Sequence, residues 1–84
     1  MTDAELRAAV LDSLAEVAPE ADPGALDPAR PIIDQVDIDS MDFLDFLVAV
    51  AERTGVEVPE RDYAAVDTID ACVAYLAGRV GEPA

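Results

Sequence analysis

Apolar residues recur every three or four positions in three segments of this chain, residues 3–17, 39–54 and 68–80. This spacing places them on one face of an α-helix, which is the pattern of helices packed around a shared core. A short helical turn is also expected at residues 60–66. The spacing therefore predicts an all-α fold.

Residues that cap helices mark the ends of these segments. Thr2 and Glu5 have the spacing of a capping box, in which each side chain accepts a hydrogen bond from the other residue's backbone. Asp39 is a suitable N-cap for the second segment, and Gly55 follows that segment as a terminating glycine does. Asp67 and Thr68 are capping residue types for the last segment.

A proline-rich segment, residues 18–38, separates the first two helices. Its length indicates a functional loop, or a loop with a short turn of its own such as Pro23-Gly24-Ala25-Leu26. Four apolar residues near its end are expected to attach it to the core: Ile32, Ile33, Val36 and Ile38. We expect one domain over residues 1–84, a small four-helix bundle with three main helices, a short third helix and a long loop between the first two.

The charge composition excludes several classes of function. The chain has 19 acidic residues against 5 basic ones, no histidine, and a net charge of −14. Nucleic acids and anionic membranes repel such a chain. Without histidine or lysine it lacks the commonest general base, Schiff-base chemistry and His-ligated zinc. We therefore expect no catalytic residue, no metal site and no enzymatic activity.

The single cysteine, Cys72, bears on the compartment. It cannot form an internal disulfide, and a small chain without disulfides fits a reducing cytoplasm. Its position on the apolar face of the last helix predicts that it packs as a small hydrophobic residue. The sequence shows neither a signal peptide nor a run of apolar residues long enough to span a membrane. We expect a cytoplasmic monomer that does not insert into membranes.

Apolar residues cover more than half the circumference of the helix at 39–54, whereas a helix facing one core needs a stripe only a little over about 100° wide. One side carries Phe43, Phe46, Leu47 and Val50, and an adjoining side carries Met41, Leu44, Val48 and Ala51. The helix is therefore either buried on most sides, or buried on one half and facing a partner with the other. Asp42, Asp45 and Glu52 lie beside the second side, which suits a basic partner with an apolar pocket.

Ser40 lies at the start of this helix, where free backbone N–H groups and the helix dipole favour a phosphate group. A serine at this position often serves only as a cap. No histidine or lysine is present to take its proton, so chemistry at Ser40 requires a second protein.

The tetrapeptide Asp39-Ser40-Met41-Asp42 resembles the Asp-Ser-Leu-acid signature of acyl carrier proteins. The residues that follow resemble the second helix of that family and its Val-Pro exit, and residues 67–76 look like its last helix. The long proline-containing loop before the serine fits as well. The resemblance covers residues 3–80.

The resemblance implies a 4′-phosphopantetheine group joined to Ser40 by a phosphodiester, which a separate magnesium-dependent phosphopantetheinyl transferase adds. The thiol of this group would carry acyl groups as thioesters between enzymes of fatty-acid, modified-lipid or polyketide-type biosynthesis. Members that serve primary fatty acid synthesis have more glutamates late in this helix, where the present chain has Ala49, Val50, Ala51 and Arg53. This difference favours a specialised carrier.

The same resemblance assigns roles to the two sides of the helix. Acyl-loading and acyl-transfer enzymes with basic docking surfaces would contact Asp39, Met41, Asp42, Leu44, Asp45, Val48 and Glu52. The residues Phe43, Phe46, Leu47 and Val50 would line a cavity for the acyl chain.

The sequence raises three alternatives. A peptidyl or aminoacyl carrier shares the fold but usually has Gly-Gly shortly before its serine, where this chain has Val36-Asp37-Ile38-Asp39. A calcium-binding loop counted from Asp37 would need glycine at Asp42 and glutamate at Val48, so the EF-hand pattern fails. The third alternative is an acidic helical adaptor without a prosthetic group.

Overall fold

The order of helices matches the sequence pattern, with additional short segments in the long loop. In the computed structural model, which describes residues 1–80, the helical segments are α1 (Asp3–Val17), η1 (Pro23–Ala25), α2 (Ile32–Gln35), α3 (Ser40–Thr54), η2 (Glu60–Val66) and α4 (Ile69–Ala77), where η denotes a 3₁₀ helix. Helix α1 packs against both α3 and α4, and η2 packs against α4. The prediction of an all-α fold is confirmed.

Side chains cap the main helices at the predicted residues. The Glu5 amide donates to the Thr2 hydroxyl (3.1 Å), and the Thr2 amide donates to Glu5 Oε1 (2.8 Å), so the capping box is complete. At the start of α4 the Thr68 hydroxyl accepts a hydrogen bond from the Ala71 amide (2.9 Å). Helix α3 ends at Gly55, whose φ of +75° lies in the left-handed region that glycine adopts without steric cost.

One predicted helix range needs correction. The helix expected at about 68–80 begins at Ile69, after its N-cap Thr68, and ends at Ala77. The following residues form a tight turn, in which the Arg79 and Val80 amides both donate to the Leu76 carbonyl (3.0 and 2.8 Å). The helix expected at about 39–54 spans Ser40–Thr54, with Asp39 as its N-cap as predicted. Residues 81–84 of the expected domain lie outside the described residues.

The segment predicted as a loop over residues 18–38 contains the short helices η1 and α2. Its second half is attached to the start of α4, since the Ile32 amide donates to the Asp67 carbonyl (2.8 Å) and the Asp70 amide donates to the Pro28 carbonyl (3.0 Å). The Gln35 side chain closes the intervening turn through hydrogen bonds to both backbone groups of Asp27 (2.7 and 2.8 Å). The segment that leads to Ser40 is therefore anchored to α4.

The core lies where α1, α3 and α4 meet. The largest side chains with almost no exposed surface are Phe46, Leu6, Leu14, Ile32 and Leu76. From the loop, Val36 and Ile38 are also buried, but Ile33 is 47% exposed, so the expectation that it anchors the loop is wrong. Adjacent residues of the short α2 helix face different directions, and Ile32 takes the inward one. Within residues 1–80, no helix is both long enough and apolar enough to cross a membrane.

Candidate functional site

Ser40 is the first residue of α3, and its side chain is exposed. A second capping box holds the turn: the Asp42 amide donates to Asp39 Oδ1 (2.9 Å) and the Asp39 amide donates to Asp42 Oδ2 (3.3 Å). The first backbone bond of the helix joins the Phe43 amide to the Asp39 carbonyl (3.0 Å). The turn that carries the Ser40 hydroxyl is therefore fixed by its neighbours on both sides.

The chain has two serines, and the structure places them in opposite environments. Ser13 in α1 has no exposed surface, and its hydroxyl donates to the Ala9 carbonyl (2.7 Å). Ser40 alone presents its hydroxyl at the surface, at the positive end of a 15-residue helix. Of the two hydroxyl groups, only that of Ser40 is accessible to a modifying enzyme.

The wide apolar arc of α3 divides into a buried and an exposed part. Phe43, Phe46, Leu47 and Val50 are buried, with at most 8% of their surface exposed. Met41, Leu44 and Val48 are 67%, 39% and 52% exposed and form a strip along α3. The alternative of a helix buried on most sides is therefore wrong. Large exposed apolar residues that lie side by side are typical of interaction surfaces.

Carboxylates accompany this strip. Asp45 and Glu52 are exposed, while Asp39 and Asp42 are held in the capping box. The only basic residue of α3 is Arg53, and its guanidinium is ion-paired with Glu16 of α1. Arg53 therefore does not neutralise the carboxylates beside the exposed strip, and this surface stays negatively charged.

An open groove of about 460 Å³ runs beside the strip, between α3 and the segment that leads into η2. Its lining consists of Leu44, Leu47, Val48, Ala51, Glu52, Gly55, Glu57, Val58 and Tyr63. Of the four residues predicted to line an acyl cavity, Leu47 lies in this groove. All four, Phe43, Phe46, Leu47 and Val50, belong to the core cluster.

The groove contains residues that the sequence did not mark as functional. Glu57, Val58 and Tyr63 come from the segment after α3, which carries no recognisable site motif. Leu44 and Val48 line the groove and also belong to the exposed strip. The groove therefore lies where the exposed side of α3 meets the buried side. The helical periodicity of α3 gives the direction of each side chain but not what a later segment places opposite it.

Two further observations concern metal ions and the cysteine. Among the residues that the structure describes, no three acidic or cysteine side chains form a possible metal-binding group. Cys72 has no exposed surface, and burial raises the pKa of its thiol to about 12. The prediction that Cys72 packs in the core is confirmed.

Comparison with known proteins gives a consistent result. The model of a family described as a phosphopantetheine attachment site matches residues 8–76. The meromycolate extension acyl carrier protein of Mycobacterium tuberculosis is 29% identical over 76 residues, which are 90% of this chain and 65% of that protein. The acyl carrier protein of Thermobifida fusca is 31% identical over 70 residues, 80% of this chain and 89% of that protein.

A third relative, the acyl carrier protein of Rhodococcus erythropolis, is 29% identical over 68 residues, 81% of this chain and 75% of that protein. The chain thus spans 65% of the length of the mycobacterial relative and larger shares of the other two. The family model covers most of the chain, including the exposed serine at the start of α3. The chain therefore belongs to the acyl carrier protein family, whose members have a phosphopantetheine attachment site.

Proposed function

We propose that this chain carries acyl groups on a 4′-phosphopantetheine group attached to Ser40, and that it is a carrier and not an enzyme. The observation that supports this most directly is the exposed Ser40 hydroxyl on the first turn of α3, within the region that the family model matches. Ser13, the other serine of the chain, is buried and hydrogen-bonded. The site accommodates the group because its hydroxyl is open to solvent, while the capping box fixes the backbone around it.

The modification requires a second protein. The chain has no histidine, the commonest general base, and no lysine, and the neighbouring Asp39 and Asp42 carboxylates accept hydrogen bonds within the capping box. A phosphopantetheinyl transferase must supply the base that takes the Ser40 proton. The Ser40 oxygen then bonds to the phosphorus on the pantetheine side of the coenzyme A diphosphate, the bond between the two phosphates breaks, and adenosine 3′,5′-bisphosphate leaves. When bound, the group supplies a terminal thiol that holds acyl groups as thioesters on a flexible arm. Such tethering raises the concentration of the acyl group at each partner's active site.

The exposed strip Met41–Leu44–Val48, with Asp45 and Glu52, is the surface that we propose for these partners. Its negative charge suits enzymes with a basic docking surface, and complementary charge speeds association without requiring tight binding. Asp39 and Asp42 contribute charge at the Ser40 end. Weak and fast contacts of this kind suit a monomeric carrier in the cytoplasm that visits several enzymes in turn.

The names of the relatives support a proposal for the pathway. Several of them are named meromycolate extension acyl carrier proteins, a name that refers to lipid extension. We propose that this chain serves the synthesis of a fatty acid or modified lipid, and we favour this over a polyketide-type pathway. The short side chains of Ala49 and Ala51, where primary fatty-acid carriers have glutamates, support a specialised role.

Modification of the purified chain tests the proposal. Incubation with a broad-specificity transferase, magnesium and coenzyme A should add one phosphopantetheinyl group per chain, measured by intact-mass analysis. Ser40→Ala should abolish the addition. Ser13→Ala is the matched control, because it removes the hydroxyl of the other serine and an alanine fits the buried position. This variant should be modified like the wild type.

The same experiment separates the remaining alternatives. An acidic adaptor without a prosthetic group would show no added mass on the folded wild-type chain, and this result would refute the proposal. A peptidyl carrier would also be modified, so a second step is needed. Loading of the modified chain by an acyl-transferring ligase with a fatty acid, but not by an adenylating enzyme with an amino acid, identifies an acyl carrier.

A further inference from the structure

The 3₁₀ helix η2 forms one wall of the groove, yet the core holds little of it. Of its seven residues, only Val66 is buried. Tyr63 faces the groove, and its ring meets Phe43 of α3 edge-on, with 6.5 Å between the ring centroids. A 3₁₀ helix has strained hydrogen bonds and little stability of its own, so contacts outside it must hold η2 in place.

The residue before Tyr63 provides such a contact. The Tyr75 hydroxyl of α4 donates a hydrogen bond of 2.7 Å to Asp62 Oδ2, at a partly buried position. A hydrogen bond to a charged acceptor is stronger than one between neutral groups. Because Asp62 and Tyr63 are neighbours in a tight helix, fixing the Asp62 carboxylate also fixes the direction of the Tyr63 side chain.

Arg79, in the turn after α4, completes this arrangement. Its guanidinium carbon lies 3.8 Å from the centroid of the Tyr75 ring, which is the geometry of a cation–π contact. Its Nη2 atom is 3.8 Å from Asp62 Oδ2, the same oxygen that accepts the Tyr75 hydrogen bond. The three side chains Asp62, Tyr75 and Arg79, which we call the latch, therefore form one group that joins η2 to the end of α4.

We propose that Tyr75 is a positioning residue for the groove. Through its hydrogen bond to Asp62 it holds η2 against α4, and this keeps the Tyr63 side chain in place in the wall of the groove. Nothing else in the proposed carrier function requires a tyrosine at this position. Loss of the hydroxyl removes the shortest of these contacts and leaves η2 attached through Val66, the contact between Tyr63 and Phe43, and the longer contact of Arg79 with Asp62. The wall then opens more often. An acyl group carried on the arm, which we expect to lie in this partly apolar groove, is then less sheltered, and this consequence rests on the proposed function.

Amide hydrogen exchange on the chain without its prosthetic group tests the latch directly. Tyr75→Phe removes the hydroxyl but keeps the ring under Arg79, and it should speed exchange of the amides of residues 60–66 by about three- to tenfold. Amides that exchange through local openings in which the latch stays intact should be unchanged, whereas amides that exchange only by global unfolding should speed up by no more than the same factor. Tyr63→Phe is the matched control, since it removes the same atom from the other tyrosine and keeps the ring against Phe43. Asp62→Asn keeps an oxygen acceptor for Tyr75 but loses the negative charge that strengthens this bond and attracts Arg79, so it should also speed exchange of these amides.

A second measurement distinguishes positioning of the groove from a merely structural bond. In chains loaded with an octanoyl group, hydroxylamine should cleave the thioester of Tyr75→Phe about two- to tenfold faster than that of the wild type. Equal exchange in Tyr75→Phe and the wild type would overturn the latch. Faster exchange with unchanged cleavage would overturn its role in the groove. Failure to load any arm counts against the proposed function alone, because the exchange measurement does not depend on it.

Discussion

Arg53 of α3 is ion-paired with Glu16 of α1, and its Nη1 atom lies 3.4 Å from the buried hydroxyl of Ser13. The one positive charge of α3 is thus engaged at the contact between two helices. It does not neutralise Asp45 and Glu52 on the exposed strip. The same pair adds a polar link to a helix contact that is otherwise apolar.

Replacement of Arg53 by glutamine should lower the free energy of unfolding by at most about 1 kcal/mol, because both charged groups are partly exposed and solvent screens them. The side chains of Arg53 and Glu16 are 34% and 52% exposed. Urea unfolding followed by circular dichroism measures the change. Arg30→Gln is the control, since it makes the same charge change at an exposed loop position. A loss of about 3 kcal/mol in Arg53→Gln would contradict this account, since such a loss is typical of a buried pair.

Two valines of α3 provide a matched test of its two sides. Val50 has no exposed surface, whereas Val48 is 52% exposed. Val50→Ala should lower the free energy of unfolding by about 2 kcal/mol, from lost apolar burial and a residual cavity. Val48→Ala should change it by less than about 0.5 kcal/mol, but it should lower kcat/KM of the transferase. Equal stability losses in urea unfolding would mean that the strip is not a free surface.

The main helices could be predicted because their signals are local. The spacing of Leu6, Val10 and Leu14 and the caps at Thr2, Asp39 and Gly55 act within a few residues of themselves, and the structure contains each of them. The same holds for the exposure of Met41 and the burial of Phe46, which follow from their angle on the helix.

The features that could not be predicted depend on residues distant in sequence. Helix α2 is too short to show a period, and the amide of its first residue, Ile32, donates to the distant Asp67 carbonyl. Exposed Ile33 looks like its buried neighbour Ile32 in the sequence. The groove wall at Tyr63 is positioned by Tyr75, which is 12 residues further on in sequence. Such pairings are a property of tertiary packing, and a single sequence has no local signal for them.

The net charge predicts how stability depends on salt. Three arginines are ion-paired in the described part of the chain, through Asp70, Glu16 and Asp62. Against a net charge of −14, these pairs leave repulsion between carboxylates as the larger effect. Raising the salt concentration from about 20 to about 300 mM shortens the screening length and should raise Tm. Magnesium should raise Tm at lower concentrations. A Tm that stays flat or falls in differential scanning calorimetry would contradict the prediction.

The buried thiol of Cys72 predicts an alkaline loss of stability. Burial raises its pKa from 9.0 to about 12 in the folded chain. Between these values the unfolded chain has lost a proton that the folded chain still binds, so the free energy of unfolding falls as the pH rises. The free energy of unfolding keeps the full contribution of the buried thiol below pH 9. By about pH 10.5 it should have fallen by about 2 kcal/mol.

Urea unfolding between pH 8 and pH 10.5 measures this loss. The control is Cys72→Ala, which is less stable throughout but should show a flatter pH dependence, because the group that titrates has been removed. The tyrosines remain in both chains, so the difference between the two slopes isolates the thiol. Parallel slopes would show that Cys72 does not account for the alkaline loss.

Asp39 has two properties next to Ser40, a cap and a charge, and two substitutions separate them. Asp39→Ala removes the acceptor of the Asp42 amide and should lower the free energy of unfolding by about 1 kcal/mol. Asp39→Asn keeps a capping oxygen and should cost only a few tenths of a kcal/mol. Both lose the negative charge, so both should reduce kcat/KM of the transferase by about two- to fivefold at low salt. Thermal unfolding and the modification rate at two salt concentrations measure these effects. If Asp39→Asn were modified at the wild-type rate, Asp39 would act only as a cap. The charged contacts of the transferase would then have to be with Asp45 and Glu52.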